Sequence, residues 1–198
     1  LMPGGHVEAL HLHRKFRFHA KIDIERFFYL IGRSKVARCL KDLGIERHVQ
    51  HAKWSCVKNP YGLPTYSLPY GFVQSPILST LVLATSNAGT VIERLSKSCQ
   101  ISVYVDDILL SSNDEAGLKE IYGDIKNELL LSQFQTNLSK CSDPGTYIEI
   151  FNCELKSGYS AVTAARIDKF QAVIRSQPSV SGFNLYCAAI QSGSAVDK

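Results

Sequence analysis

The chain has 198 residues, 22 Lys and Arg against 18 Asp and Glu, six Cys and 45% hydrophobic residues. That length carries one full domain with at most a small appendage, and this apolar content excludes a disordered, solvating chain. No run of about 18 apolar residues occurs, and no charged-then-apolar leader pattern is legible, so neither a membrane span nor a secretory signal is expected.

Taken in chain order, residues 16–23 (FRFHAKID) alternate, with Phe16, Phe18, Ala20 and Ile22 on one side and Arg17, His19, Lys21 and Asp23 on the other. This predicts a half-buried strand whose polar face ends in a carboxylate. Ser34 is placed to open a helix that Gly44 closes. Ser75-Pro76 opens a second, in which Ile77, Leu78, Leu81, Val82, Ala88, Val91, Ile92 and Leu95 predict one long buried helix. Residues 101–112 (ISVYVDDILLSS) are apolar strand sequence on both sides of an acid pair, which predicts a hairpin with Asp106 and Asp107 at its tip. Asn113 then caps a helix carrying Leu118, Ile121, Ile125 and Leu129. Strands are expected around Phe134 and from Tyr147 to Leu155, and a last helix from about Thr163 to Arg175 carries Ile167, Phe170 and Ile174. The tail QSGSAVDK is expected to fray. The order fits an α+β domain of the split βαβ, ferredoxin-like type.

The six cysteines are scattered, without a CxxC pair, and are expected to be free buried thiols. His11 and His13 are read as sharing a strand face, and His48 and His51 as one helical turn apart. Neither pair has a third ligand nearby, so no zinc site is expected. Trp54 is read as core. Nine basic residues and only two acids lie between Arg14 and Lys41. Such an excess suits an anionic partner, nucleic acid or nucleotide phosphate, and equally suits a solvated helix face.

Adjacent acids in an apolar hairpin are costly unless solvated or neutralised by cations. If the strand ending at Asp23 neighbours the hairpin, Asp23 and Asp106 share a site whose hard oxygens select Mg²⁺. Two such ions would clamp an in-line phosphoryl displacement. The alternative is a solvated Asp-Asp turn with Asp23 as an ordinary strand end.

Four ordered motifs go further: KIDIERFF (Lys21 to Phe28), SLPYGFVQSP (Ser67 to Pro76), YVDD (Tyr104 to Asp107) and NLSKC (Asn137 to Cys141). In this order and spacing the chain resembles the palm of a reverse transcriptase, nearest to bacterial abortive-infection and defence-associated enzymes, with retron enzymes next. IFNCEL (Ile150 to Leu155) is a weaker match to the primer-grip strand. The resemblance implies residual fingers in 1–15, a palm in 16–155 with a fingers insertion at about 45–66, and a partial thumb in 156–198. It implies RNA-directed DNA synthesis from dNTPs on a nucleic-acid template-primer, with two Mg²⁺ ions (or Mn²⁺), in the bacterial cytoplasm and without a membrane partner.

The roles it implies are specific. Asp23 and Asp106 hold the metals, Asp107 is the third acid, and the Ile24 carbonyl adds a ligand. Phe28 is the steric gate beneath the sugar, with plain core packing as its alternative. Lys140 serves the leaving pyrophosphate, and Gly71 lets the backbone approach the nascent pair. Tyr104 lies beside the nucleotide, and Tyr70 stands where many relatives carry Gln, with Gln74 as a partial substitute. Only 22 residues precede Asp23, too few for a full fingers fold. A partner or second copy supplying fingers is therefore expected, and a catalytically silent, nucleic-acid-binding palm is the alternative.

Overall fold

The computed structural model describes residues 5–194. The elements are α1 (Gly5–His13), β1 (Phe18–Asp23), α2 (Phe27–Leu30), α3 (Arg33–Asp42), α4 (His48–Ser55), β2 (Val57–Lys58), β3 (Tyr66–Ser67), α5 (Ser75–Ala84) and α6 (Asn87–Leu95). They continue with β4 (Gln100–Tyr104), β5 (Asp107–Ser112), α7 (Glu115–Leu131), β6 (Ser142–Gly145), β7 (Tyr147–Ile150), β8 (Cys153–Lys156), β9 (Tyr159–Val162), α8 (Ala164–Gln171) and α9 (Gln177–Gln191). The central antiparallel sheet has the order β4-β5-β1-β6. With α5 and α6 after β1 and α7 after β5, this is the split βαβ arrangement that the sequence predicts.

The two faces of this sheet carry different cores. Ala20, Ile22, Ile108 and Leu110 pack on the helical side with Val82, Ile92, Leu118, Ile125 and Leu129, which is why those helices show apolar stripes. On the other side Leu109 joins Leu10, Ile148, Ile150, Leu155, Val162 and Ile190, drawn from α1, the second sheet β7-β8-β9, and α9. The polar face of β1 is thus not solvated. His19 is fully buried, because this second layer covers a face that alternation alone assigns to water.

His13 lies in α1, not on a strand, and is also fully buried. Its Nδ1 is 2.7 Å from Ser111 Oγ and its Nε2 is 2.9 Å from Ser102 Oγ. His19 Nδ1 is 2.7 Å from the same Ser111 Oγ, while His19 Nε2 has no partner. Only one proton arrangement gives both ring N–H groups and the Ser111 hydroxyl proton an acceptor among these contacts. His19 Nδ1–H donates to Ser111, the Ser111 hydroxyl donates to His13 Nδ1, and His13 Nε2–H donates to Ser102. Burial, joined by repulsion from His19, drives His13 down to about 3, and burial drives His19 down to about 4. Both rings are held neutral, and they tie α1 to the sheet.

Several local expectations change. The long helix from Ser75 breaks at Thr85–Ser86, and α5 and α6 meet at 75°. Ser86 turns extended and caps α6 by accepting from Gly89 N at 3.2 Å. A Cβ on residue 89 would collide with the Leu83 and Ala84 carbonyls, so glycine permits the corner. Asp114 rather than Asn113 caps α7, and Gly32 rather than Ser34 precedes α3. Phe134 is buried in the connection after α7 rather than in a strand. The strand expected from Tyr147 is a hairpin turning at Phe151-Asn152, whose φ values are 57° and 59°. The helix from Thr163 stops at Gln171, α9 follows it, and Ile174 is fully exposed. Trp54 is 63% exposed against His51 instead of lying in the core. All six cysteines are free. Fraying past Ser194 lies outside the described residues. Among the described residues no single helix is long and apolar enough to cross a membrane.

Candidate active site

The β4–β5 hairpin turns through Val105 and Asp106, with Tyr104 opposite Asp107. Val105 takes φ 57°, a left-handed conformation costly for a β-branched residue. The cost closes the turn in two residues and takes Asp106 out of the strand, so strand alternation does not force the two acids apart. Asp107 pairs with Asp23 across β5 and β1, and Ile24 N–H donates to the Asp106 carbonyl at 2.9 Å. In an extended residue the N–H and C=O share an edge, so the Ile24 carbonyl is directed to the hairpin side. Asp23 and Asp107 on neighbouring strands and Asp106 in the turn thereby lie at one end of the sheet, near enough for both hairpin acids to act on Asp23.

Asp23 is 5% exposed. Burial raises its pKa, the Lys140 charge opposes this, and Asp107 and Asp106 add to the rise. Burial raises Asp107 as well, against the pull of Lys21. Lys140 Nζ lies 3.9 Å from Asp23 Oδ2 and Lys21 Nζ lies 3.2 Å from Asp107 Oδ1. The Lys21 ammonium is the one partner that the buried Asp107 Oδ1 has among the described residues. A cleft of about 990 Å³ opens over the hairpin, with Asp106, Asp107, Tyr104, Phe28, Tyr70 and Gly71 in its wall.

Residues 2–144 match the family model described as reverse transcriptase (RNA-dependent DNA polymerase). The chain belongs to the reverse transcriptase family. Among solved structures, the foamy viral protease-reverse transcriptase in complex with an RNA/DNA hybrid is similar at 20% identity, covering 85% of this chain and 21% of that one, with a TM-score of 0.55. The same viral protein in its dRH form with double-stranded DNA is similar at 18% identity, covering 93% of this chain and 30% of that one, with a TM-score of 0.59. At these identities the likeness is one of fold, an α+β reverse transcriptase palm, and the chain spans under a third of either structure. Among curated proteins none matches the chain in sequence.

Within this reverse transcriptase palm the aromatic pair after Asp23 divides its work. Phe27 is 3% exposed and packs on Phe134, whereas Phe28 is the more open ring, with its centroid 6.3 Å from that of Tyr70. Tyr70 is 79% exposed, and Gly71 adopts φ 89°, which suits glycine. Gln74 sits at the N-cap of α5 and is not among the residues lining the cleft. Lys140 ends the NLSK turn and is exposed beside Asp23.

Further residues line the cleft: His6, Arg26, Phe151, Arg166 and Tyr186. His6 Nε2 lies 3.0 Å from the Tyr186 hydroxyl, and the Phe151 ring meets Tyr104 edge-on at 5.3 Å. IFNCEL flagged Phe151, but no local pattern marks Arg166 or Tyr186. Among the described residues no group of three or more His, Cys, Asp or Glu is gathered as a ready-made metal cage.

Proposed function

We propose that this chain carries RNA-directed DNA synthesis, adding dNTPs to a 3′-hydroxyl on a nucleic-acid template-primer. The observation that carries the reading is the cross-strand pairing of Asp23 with Asp107, with Asp106 tied to Ile24 beside them.

The acids suit two Mg²⁺ ions, or Mn²⁺. They offer hard oxygens, the buried Asp107 Oδ1 has only the Lys21 ammonium against it, and a protein cage of three ligands is not needed where triphosphate oxygens and water complete the shell. Asp23 and Asp106 would hold the ions, with Asp107 and the Ile24 carbonyl beside them. When bound, such ions offset charge on the attacking and leaving oxygens. The remaining tasks belong to the chain. Asp23 and Asp107 must ionise despite burial, and Lys140 and Lys21 favour their charged forms. Phe28 and Gly71 line the cleft, and in this reading Phe28 is the flat ring under the sugar that rejects a 2′-hydroxyl while Gly71 leaves room for the nascent pair. Lys140 is also the cation beside the acids available to the leaving pyrophosphate.

The nucleic-acid partner is supported by the basic run from Arg14 to Lys41. The phrases YVDDILLSS and SLPYGFVQSP support a setting in bacterial antiphage defence or a retroelement, in the cytoplasm. Fingers from a partner or a second copy belong to the same proposal. One observation favours a second reading, a silent or partner-dependent palm: Lys21 already neutralises Asp107.

The test is dNTP incorporation by purified protein with Mg²⁺ or Mn²⁺ on primed RNA, on primed DNA and without template. Incorporation that Asp106→Asn abolishes is the expected result. A folded protein that incorporates nothing would overturn the first reading in favour of the second.

A further inference from the structure

Lys21 stands between two sites. Its ammonium pairs with Asp107 at 3.2 Å, with side chains only 14% and 20% exposed. The same residue also lines a second cavity of about 370 Å³ beside the Phe151-Asn152 turn. That cavity gathers three cations, Lys21, Arg166 and Lys169, against a single acid, Glu149, and includes Thr163, the N-cap of α8. Arg166 and Asn152 line both this cavity and the catalytic cleft, so the two spaces adjoin. Three like charges facing a small cavity repel one another, and Lys21 relieves part of that repulsion by leaning on Asp107. An oxyanion in the cavity reverses the balance, because it attracts all three cations at once.

We propose that the cavity receives a backbone phosphate of the bound nucleic-acid strand, and that Lys21 then exchanges Asp107 for that phosphate. Lys21 is thus a positioning residue: it masks a metal-binding acid in the empty protein and releases it when a strand is seated. The strand, rather than free phosphate, is the occupant because the cavity continues the cleft that holds the acids. This inference rests on the polymerase reading for the role of Asp107, and its test does not use synthesis.

Mn²⁺ binding is measured by electron paramagnetic resonance on the purified chain, alone, with inorganic phosphate, and with a short DNA duplex. In the wild type the duplex should tighten Mn²⁺ binding by at least about fivefold. Lys21→Met, or Lys21→Gln should the first not fold, should bind Mn²⁺ tightly without duplex and gain less than about twofold from it. Lys169→Ala should leave duplex-free Mn²⁺ affinity unchanged, weaken duplex binding, and make its salt dependence shallower by about 0.7–0.9 in log–log slope. The proposal is overturned if removing Lys21 leaves duplex-free Mn²⁺ affinity at the wild-type level or preserves the gain from duplex. It is also overturned if inorganic phosphate reproduces the whole effect of the duplex. A protein that shows the coupling but makes no DNA would refute the polymerase reading and keep the exchange, and synthesis without the coupling would do the reverse.

Discussion

Acidification should loosen this fold through His13 and His19 before it touches the carboxylates. In the unfolded chain each ring titrates near 6.5; in the folded chain burial lowers them to about 3 and about 4. Between those values the unfolded state binds protons that the native state refuses, so stability is present above pH 6.5 and is lost as pH falls. At pH 5 each ring costs about 2 kcal/mol, about 4 kcal/mol together, and this hardly depends on the folded values because both lie well below that pH. A domain stable by about 5–15 kcal/mol would feel this as a large share of its stability. Asp23 and Asp107 act in the opposite sense: their raised folded values add stability as pH falls through them, at the acid end of the range. Denaturant unfolding at steps from pH 8 to pH 5 reads the effect, with a His13→Gln, His19→Gln double variant as control. An unfolding free energy flat across that range, or a drop that persists in the double variant, would refute the neutral, buried histidine pair.

Three further outcomes are expected. Lys140→Gln removes a charge that holds Asp23 down, so the acid limb of the pH–rate profile should move to higher pH, and an unmoved limb would detach Lys140 from Asp23. Phe28→Ala should narrow the preference for dNTP over rNTP by about tenfold or more in single-nucleotide incorporation, and an unchanged ratio would place the gate elsewhere. Phe134→Ala removes a ring that is 1% exposed between Phe27 and Lys35, and should cost about 3–5 kcal/mol in chemical denaturation. A loss under about 1 kcal/mol would show that the ring is not a keystone of the helical-side core.

The acid-bearing end of the sheet was legible because its signal is local: acids in apolar strands stand out. That Asp107 rather than Asp106 lies opposite Asp23 was not legible, because alternation fixes the faces of a strand and not its register against a neighbour. What escaped depends on neighbours far along the chain. His19 reads as a solvated residue until α1 and the second sheet cover it. His13 shares no period with the strand that follows. In α9 only Ile190 is buried, so its helical stripe is faint even though its Phe183 ring stacks on Phe170 at 3.9 Å. The corner at Ser86 had a local signal, since Thr85-Ser86-Asn87 interrupts the apolar run with an N-cap residue, but the helical spacing of Val82, Ala88, Val91 and Ile92 continues across it and hid the break. Lys21 looked like one more surface cation, since sequence separation hides both Asp107 and Lys169.

The second layer also sets an order of events for a chain emerging from a ribosome. It joins residues about 180 positions apart: His6 to Tyr186, and Arg14 to Ser194. The hairpin of β4 and β5 can zip onto β1 as soon as residue 112 is out. Helix α1 must then wait for α9, and until α9 arrives the apolar layer over Leu109 lacks Ile190. A nascent chain therefore carries its three acids on a sheet whose second layer is still incomplete, and that layer closes only once α9 is out.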